Sequence, residues 1–353
     1  MSDMDGRRCA QVDGETDGQN DSLRLDTIIL TGSAGAYQLI EKIVSSLPAS
    51  LPASVFVLIH MGISGYPYLD RLLQSKSRLS VKPAADGEKI EKGTIYTALP
   101  DQHLMLGRSH MHLRRGPREN GFRPAIDPLL RSAAVHFGTR AAGFVLSGLL
   151  DDGAAGLRAL SSTGGMCFVQ DPADALYPDL PLSALRAVPE ATIISADDIP
   201  SVMETIAGGQ VAAPRPTTDE IALELMIAGM HGNTIENAEH LGRLAPFNCP
   251  ECDGVLWELA DGPIRRWRCH TGHAFSEKTL SRAQEYYLER TLMSTLRAHR
   301  GRIRAIESAL EHSTPGYENR SDLQQKLSSY REDASKIEIM LTRADTEPAI
   351  LPG

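Results

Sequence analysis

Three polar side chains stand where apolar runs end, and together they could carry out nucleophilic catalysis. Ser33 lies in the turn GSAGA after the apolar run TIIL, His60 ends the run SVFVLIH, and Asp152 lies in LLDDG before a predicted helix. A serine hydroxyl needs a base to accept its proton, and that base needs a carboxylate to orient it. The three residues are therefore a candidate nucleophile, base and orienting carboxylate.

Each of these residues also has an ordinary structural interpretation. Ser33 could cap the following helix, because a serine at this position accepts a backbone N–H and contributes about 1 kcal/mol. A phosphate-binding turn is disfavoured, since the segment has neither a G-x-G-x-x-G pattern nor a Walker lysine. His60 could be a hydrogen-bonded histidine at a buried strand end, and Asp152 a turn or capping aspartate. Their joint occurrence at three predicted strand ends favours the catalytic interpretation.

A second group of residues has the spacing of a metal site. Cys249 and Cys252 form a C-x-x-C knuckle, Cys269 follows after sixteen intervening residues, and His273 lies four positions further on. Three thiolates and an imidazole in this pattern are typical of a four-coordinate structural Zn²⁺ site. His270 is a competing ligand, but the spacing favours His273. Iron in a rubredoxin-like site is the alternative metal, and the histidine favours zinc.

The apolar pattern predicts how the side chains of Ser33, His60 and Asp152 are positioned. From residue 26 to about 200, apolar runs such as SVFVLIH, AAGFVLSG and GGMCFVQD alternate with amphipathic stretches. Strands that alternate with helices predict an α/β fold with a doubly wound, mainly parallel sheet. The carboxyl ends of parallel strands meet at one edge, where open α/β sheets bind ligands. We expect Ser33, His60 and Asp152 to lie at that edge.

The rest of the chain is predicted to form smaller units around this domain of residues 26–203. They are a disordered polar tail (1–25), a linker with short helices (204–245), a zinc-ribbon module (246–275) and a helical hairpin or coiled coil (276–345). The linker prediction rests on the Gly-, Pro- and Ala-rich stretch AGGQVAAPRPTT. The hairpin prediction rests on apolar residues at helical spacing on both sides of TPGYEN.

Composition disfavours several classes of protein. The 353 residues are 42% hydrophobic and 23% charged, and no apolar run is long enough to cross a bilayer or act as a secretory signal. A formal net charge of -9 disfavours nucleic-acid binding, although Arg265, Arg266 and Arg268 give the ribbon a basic edge. The cysteines suggest metal binding in a reducing compartment. We therefore expect a cytoplasmic protein that neither binds nucleic acid nor inserts into a membrane.

Residues 26 to 203 resemble the catalytic domain of the CheB family of chemotaxis protein-glutamate methylesterases. TGSAGAYQLI is similar to the family's serine turn, LIHM to its histidine segment and LSGLLDDGAAGL to its aspartate segment. RPAIDPLLRSAA and GGMCFVQDPADALYPDLPLSAL also match, and all occur in the family's order. The resemblance implies that Ser33 is the nucleophile, His60 the general base and acid, and Asp152 the orienting carboxylate. It also implies that Leu149 donates its backbone N–H to the oxyanion.

The resemblance further implies a reaction and its partners. A glutamate methyl ester on a methylated chemoreceptor-like protein would acylate Ser33 with loss of methanol, and water would then release the acid. Glutamine deamidation is chemically adjacent because it passes through the same acyl-enzyme, and neither reaction needs a cofactor. Arg123 and Arg131 could steer an acidic receptor surface or form structural ion pairs. Other chemosensory signalling proteins are expected partners, and the C-terminal helices could form a homodimer.

The sequence departs from the family pattern in both turns that carry the candidate residues. Gly32 and Ala36 exchange the family's usual alanine and glycine, and Leu150 replaces a frequent glycine. A methyl group at position 36 would narrow the pocket if that position needed a positive φ. Only the short polar tail precedes the domain, so control by a receiver domain in cis is not expected. The alternative function is therefore a non-catalytic signalling adaptor that uses the zinc ribbon and the helical tail.

Overall fold

The structure is a computed structural model, and it describes residues 23–60, 68–230, 242–259, 263–312 and 320–344. Most of the predicted tail, the segment TPGYEN and part of the predicted linker lie outside the described residues. No described helix has the length and apolarity that a membrane crossing requires.

The first domain is built on a parallel sheet, as predicted. In chain order its strands are β1 (Thr27–Gly32), β2 (Ser54–Ile59), β3 (Ser80–Pro83), β4 (Thr94–Thr97), β5 (His103–Leu106), β6 (Met111–Arg114), β7 (Ala141–Val145), β8 (Met166–Gln170) and β9 (Thr192–Ile194). Strands β5 and β6 form a separate antiparallel hairpin. The other seven form one sheet in the order β3-β4-β2-β1-β7-β8-β9, and every neighbouring pair is parallel.

Helices cover both faces of this sheet, which explains why its central strands are mostly apolar and buried throughout. The helices are α1 (Ala36–Ser46), α2 (Leu69–Gln74), α3 (Ile126–His136), α4 (Ala154–Ser162), α5 (Asp179–Ala187) and α6 (Ile199–Ile206). Helices α3, α4 and α5 pack on one face, and α1, α2 and α6 pack on the other. Every residue of β1 and β2 is buried. The predicted doubly wound α/β fold is confirmed.

The side on which successive strands join the sheet changes at β1. The chain proceeds from β1 to β2, β3 and β4 on one side, and then returns to place β7, β8 and β9 on the other. Connections leave β1 and β7 in opposite directions, which opens a crevice at their carboxyl ends. Ligands of doubly wound folds bind at such a point, so the topology marks the edge where Ser33 lies.

A small antiparallel sheet and two long helices follow the first domain. After α7 (Asp219–Ala228), the strands are β10 (Gly242–Asn248), β11 (Val255–Leu259), β12 (Arg266–Cys269) and β13 (Ala274–Ser276), paired in chain order. We call residues 242–276 the ribbon; its first strand begins before the predicted boundary at 246. Helices α8 (Glu277–His312) and α9 (Arg320–Ala344) pack together through a small apolar core, and the predicted helical hairpin is confirmed.

A buried group of charges joins the ribbon to the first domain. Its members are Glu119, Arg131, Glu224, Arg266 and Arg268. Arg268 Nη2 lies 3.0 Å from Glu119 Oε1 and 2.8 Å from Glu224 Oε2, while Arg266 Nη2 lies 2.6 Å from Glu224 Oε1. Burial alone would raise the pKa of Glu119, but Arg131 and Arg268 outweigh it and lower that pKa to about 2. Two arginines of the predicted basic edge are thus interior ion-pair partners.

Candidate active site

Ser33 and His60 follow the ends of two adjacent parallel strands. Gly32 of β1 and Ile59 of β2 are direct partners in the ladder, and the His60 N–H donates to Gly32 O at 3.0 Å. The Ser33 N–H donates to Ser147 O at 2.9 Å, which ties the serine turn to the segment after β7. The register therefore places the serine and the histidine at the same edge of the sheet, as the sequence predicts.

The serine turn has a sharp bend at Gly35 and leaves the serine side chain uninvolved in capping. Gly35 has φ 77° and is the N-cap residue of α1, and that helix has no side-chain cap hydrogen bond. Glycine adopts this left-handed conformation without the steric penalty of a Cβ atom. The capping interpretation of Ser33 is therefore wrong. Ser33 is only 9% exposed. The backbone N–H groups of the two residues that follow it, Ala34 and Gly35, donate to no described residue.

His60 is held on two sides. Its Nε2 lies 2.7 Å from Asp152 Oδ2, and the two side chains are 3% and 1% exposed. The ring stacks on Phe122 with centroids 3.7 Å apart and an interplanar angle of 3°. Nδ1 is buried and has no hydrogen-bond partner among the described residues. If Nε2 carries the proton shared with Asp152, Nδ1 is the basic nitrogen of the imidazole.

Asp152 lies at the N-terminus of α3 and accepts several hydrogen bonds. Its Oδ2 accepts the Ile126 N–H at 2.6 Å, and its Oδ1 accepts Asn120 Nδ2 at 2.9 Å and the Asp127 N–H at 3.3 Å. Backbone donors and the positive end of a helix stabilise an ionised carboxylate. Asp152 thus meets His60 and caps α3, a helix distant in sequence, whereas α4, the helix that follows it, begins after Gly153 with no side-chain cap hydrogen bond.

Sequence reasoning missed a second carboxylate, Asp127. Asp152 accepts N–H groups at the start of α3, and Asp127 of α3 in turn accepts N–H groups at the start of α4. Asp127, in the first turn of α3, accepts the N–H groups of Gly153 and Gly156 at 2.9 and 2.7 Å through Oδ1. Burial, together with the neighbouring charge of Asp152, raises the pKa of Asp127 to about 7. Asn120 bridges the two carboxylates. The sequence signals for these residues were an Asn-Gly turn dipeptide at 120 and an acidic residue opening a helix.

The segment after β7 runs directly against the serine turn. A Cβ added at Gly148 would lie 2.8 Å from Ser33 Cβ, so glycine is required for this approach. The Gly148 N–H donates to Tyr177 O at 3.0 Å, whereas the Leu149 N–H donates to no described residue. Leu150 has φ 65°, a left-handed conformation that explains why glycine would suit its position. Leu149 therefore has a free backbone donor next in sequence to the contact with Ser33.

The exchange of glycine and alanine around Ser33 has a packing explanation. A Cβ added at Gly32 would lie 2.4 Å from Ala36 Cβ, a distance that two methyl groups cannot share. Ala36 opens α1, and the positive φ of the turn belongs to Gly35. Only one of positions 32 and 36 can therefore carry a methyl group in this backbone. The exchange preserves that single methyl group.

The four predicted metal ligands converge at the edge of the ribbon. The ligand atoms of Cys249, Cys252, Cys269 and His273 all lie within 4.8 Å of one another. Cys252 Sγ lies 3.7 Å from Cys269 Sγ, and His273 Nδ1 lies 3.8 and 3.5 Å from the Sγ atoms of Cys249 and Cys269. A tetrahedron with metal bonds of about 2.3 Å to sulfur and 2.0 Å to nitrogen has edges of roughly 3.5 to 3.8 Å. The cluster is compatible with a structural metal, and His270 is not part of it.

The two arginines considered for receptor steering form internal contacts. Arg123 Nε donates to Asp101 Oδ1 at 2.8 Å, and Arg123 Nη1 donates to Gly116 O at 2.8 Å. Arg131 is 1% exposed and belongs to the buried charges described above. The alternative of a structural ion pair therefore applies to both residues.

Comparison with known proteins shows the family to which the first domain belongs. Residues 28–203 match the family model described as CheB methylesterase, and the chain carries a domain of this family over those residues. The structure is similar to the Thermotoga maritima CheB methylesterase catalytic domain, with a TM-score of 0.50 and 27% sequence identity. That match covers 52% of this chain and 98% of the Thermotoga chain.

Curated relatives carry names that describe two reactions. A protein-glutamate methylesterase/protein-glutamine glutaminase 2 from Methanosarcina mazei is 32% identical over 169 residues, which cover 46% of each chain. A protein-glutamate methylesterase/protein-glutamine glutaminase from Pyrococcus abyssi is 30% identical over 190 residues, which cover 52% of each chain. The match thus spans about half the length of these relatives.

Proposed function

We propose that the protein is a protein-glutamate methylesterase that hydrolyses glutamate methyl esters on chemoreceptor-type signalling proteins. The observation that carries the proposal is the buried contact of 2.7 Å between His60 Nε2 and Asp152 Oδ2, at the sheet edge where Ser33 lies. The surrounding domain is of the CheB methylesterase family. The proposal assigns the reaction to residues 26–203 and treats the ribbon and the helical hairpin as attached units.

Acylation follows from the roles that these groups can take. Ser33 Oγ attacks the ester carbonyl carbon while His60 Nδ1 accepts the hydroxyl proton, and Asp152 stabilises the imidazolium that forms. The negative charge on the carbonyl oxygen would be met by the Leu149 N–H, the donor that the family resemblance implies. The Ala34 N–H, next to the nucleophile at the start of the helix, is a second candidate donor. His60 then protonates the departing methoxide, and methanol leaves.

Deacylation reverses the proton transfers with water as the nucleophile. His60 Nδ1 accepts a proton from water, hydroxide attacks the acyl carbon, and Ser33 Oγ leaves with the proton returned by His60. The product is a glutamate carboxylate. A glutamine side chain would form the same acyl-enzyme with ammonia as the leaving group, so we include deamidation as a second reaction of the site.

The substrate surface is expected to contact exposed apolar side chains beside the serine turn. Leu176 is 70% exposed, and its Cβ would lie 2.9 Å from a Cβ added at Gly35. Tyr177, the next residue, is 38% exposed and accepts the Gly148 N–H through its carbonyl oxygen. Exposed apolar groups at the rim of a site suit a protein substrate better than a small polar one.

We also propose that Cys249, Cys252, Cys269 and His273 hold a structural Zn²⁺. Four ligand atoms within 4.8 Å of one another would fill a tetrahedral coordination sphere, which is characteristic of structural sites. The metal would contribute folding free energy that the small apolar core of the ribbon cannot supply alone. No step of the proposed reaction passes through it.

The test is methanol release from methylated receptor membranes by the full-length protein. Ser33→Ala and His60→Ala should each abolish release above background, because they remove the nucleophile and the base. Ser46→Ala is the matched control, since the Ser46 hydroxyl donates to Lys42 O on the exposed side of α1. If wild type releases no methanol from membranes that another methylesterase demethylates, the proposed function is wrong.

A further inference from the structure

The last strand of the ribbon pairs with the segment that supports the His60–Asp152 contact. The Asn120 N–H donates to Ala274 O at 2.7 Å, and the Ala274 N–H donates to Arg118 O at 3.3 Å. Ala274 directly follows the predicted metal ligand His273. The ribbon is therefore hydrogen-bonded, through backbone atoms, to the segment that leads to Phe122 and its stacking contact with His60.

The Asn120 amide connects the ribbon to the carboxylates. Its Nδ2 donates to Asp152 Oδ1 at 2.9 Å and to Asp127 Oδ2 at 3.0 Å. Its Oδ1 accepts the Ser276 N–H at 3.0 Å and the Thr279 hydroxyl at 3.1 Å. The reverse amide orientation would set an oxygen against two carboxylates, so these partners determine which way the amide points.

The backbone at Asn120 also suits asparagine. The residue has φ 54° and is 6% exposed. Asparagine tolerates this left-handed conformation better than most residues with a Cβ. Both its backbone and its side chain are therefore adapted to this position.

A second connection runs from the start of α8 to Asp151, the residue before Asp152. Ser276 and Thr279 cap the helix reciprocally, with the Ser276 N–H donating to Thr279 Oγ1 at 2.8 Å and the Thr279 N–H donating to Ser276 Oγ at 3.1 Å. Ser276 Oγ donates to Asp151 Oδ1 at 2.6 Å. The junction between β13 and α8 thus contacts Asp152 indirectly through both Asn120 and Asp151.

We propose that Ser276 and Thr279 are positioning residues for the active site, which hold Asn120 and Asp151 so that Asp152 stays aligned with His60. This inference rests on the proposed function. The ribbon is then a built-in support of the catalytic carboxylate, and its order should affect turnover. Among the described residues the hydrogen bonds of the Thr279 side chain go to Asn120 and Ser276 and not to the serine turn. Loss of its hydroxyl should therefore act on the chemical step and not on substrate binding.

The test compares substitutions at position 279 in the full-length protein. Thr279→Val keeps the shape of the side chain and removes the hydroxyl, whereas Thr279→Ser keeps the hydroxyl. Thr291→Val is the matched control, because the Thr291 hydroxyl lies in the exposed part of α8 and donates to Tyr287 O within the same helix. The measurements are kcat and KM for methanol release, the rate of Ser33 labelling by a fluorophosphonate probe, and hydrogen exchange of residues 118–127.

We expect Thr279→Val to lower kcat and the labelling rate about tenfold with KM changed less than about twofold, since small misplacements distant from the chemistry have effects of this order. Thr279→Ser should restore both rates, and Thr291→Val should match wild type. Hydrogen exchange of residues 118–127 should accelerate in Thr279→Val alone. The inference is overturned if Thr279→Val equals wild type in turnover and exchange, or if Thr279→Ser is as impaired as Thr279→Val.

Two further measurements distinguish failure of the inference from misfolding of a variant and from failure of the proposed function. If Thr279→Val does not fold, Asn120→Gly decides, because glycine accepts the left-handed backbone while the side chain with its bridging amide is removed. Asn120→Gly should lower kcat at least about tenfold, and unchanged kcat would overturn the inference. If wild type neither labels nor releases methanol, the proposed function fails; accelerated exchange in Thr279→Val would still support the coupling, and unchanged exchange would overturn it.

Discussion

The exchanged glycine and alanine around Ser33 allow a prediction whose size follows from one distance. Gly32→Ala introduces a methyl group 2.4 Å from Ala36 Cβ, 3.2 Å from Ser147 O and 3.4 Å from Leu146 Cβ. Overpacking of this kind costs about 1–3 kcal/mol. The first contact is impossible without movement of the serine turn, and the other two are tight but tolerable. Nearly all of the cost should therefore arise from the methyl group of Ala36.

The double substitution Gly32→Ala/Ala36→Gly should remove most of that cost. Ala36→Gly alone removes a fully buried methyl group from the first turn of α1 and should cost about 1 kcal/mol. If the two methyl groups exclude each other, the double variant should be about 1–3 kcal/mol more stable than the sum of the single variants predicts. The coupling has this sign only when the two positions share one space.

The assay is thermal unfolding of wild type, both single variants and the double variant, with loss of Ser33 labelling as the reporter for this domain. A change of 1 kcal/mol corresponds to about 2–4 °C in a domain of this size, so Gly32→Ala should melt roughly 2–12 °C below wild type. The double variant should melt above the temperature that the summed effects of the single variants predict, and it should regain the wild-type labelling rate. A double variant that melts where that sum predicts would refute the packing explanation.

Three further predictions concern buried charges and the metal cluster. The raised pKa of Asp127, about 7, means that the folded state holds a proton which the unfolded state has lost, so stability from this group should fall as pH rises from about 4 to 7. Thermal unfolding of wild type between pH 5 and 8 should show that decline, and a stability rising over this interval would contradict the assignment. Arg268→Met should destabilise by about 3–5 kcal/mol because Glu119 and Glu224 lose a buried partner. Arg265→Met, at a side chain that is 57% exposed, is the control and should cost much less. Cys249→Ser should lower the zinc content measured by atomic absorption, whereas a change at Cys167, outside the cluster, should not; full zinc occupancy in Cys249→Ser would remove that ligand from the proposal.

The adaptor alternative rested on altered residues in the two turns that carry Ser33 and Asp152. Packing accounts for the exchange at positions 32 and 36, because the backbone accepts one methyl group there and the chain supplies one. Leu150 keeps a left-handed backbone with φ 65°, as the usual glycine would allow. The buried contact between His60 and Asp152 is present with both changes in place. These observations favour the enzymatic proposal over the adaptor.

Local patterns in the sequence predicted the candidate site residues because the relevant signals are local. Ser33, His60 and Asp152 each follow an apolar run, and parallel strands of one sheet bring such positions to a common edge. The cysteine spacing predicted the metal cluster for the same reason, since a knuckle of two thiolates is formed by neighbouring residues. The order of strands and helices likewise followed from hydrophobic periodicity.

Only the tertiary structure determined how the ribbon contacts the site. Asn120 and Ser276 are 156 positions apart, and Glu119 and Arg268 are 149 positions apart. No periodic pattern indicates which buried arginine will meet which glutamate, or which amide will bridge two carboxylates. Those contacts depend on how one folded unit docks on another, and docking is decided by shape and by the need to pair every buried charge and polar atom. The sequence therefore predicted the proposed reacting groups, whereas the fold revealed the groups that surround them.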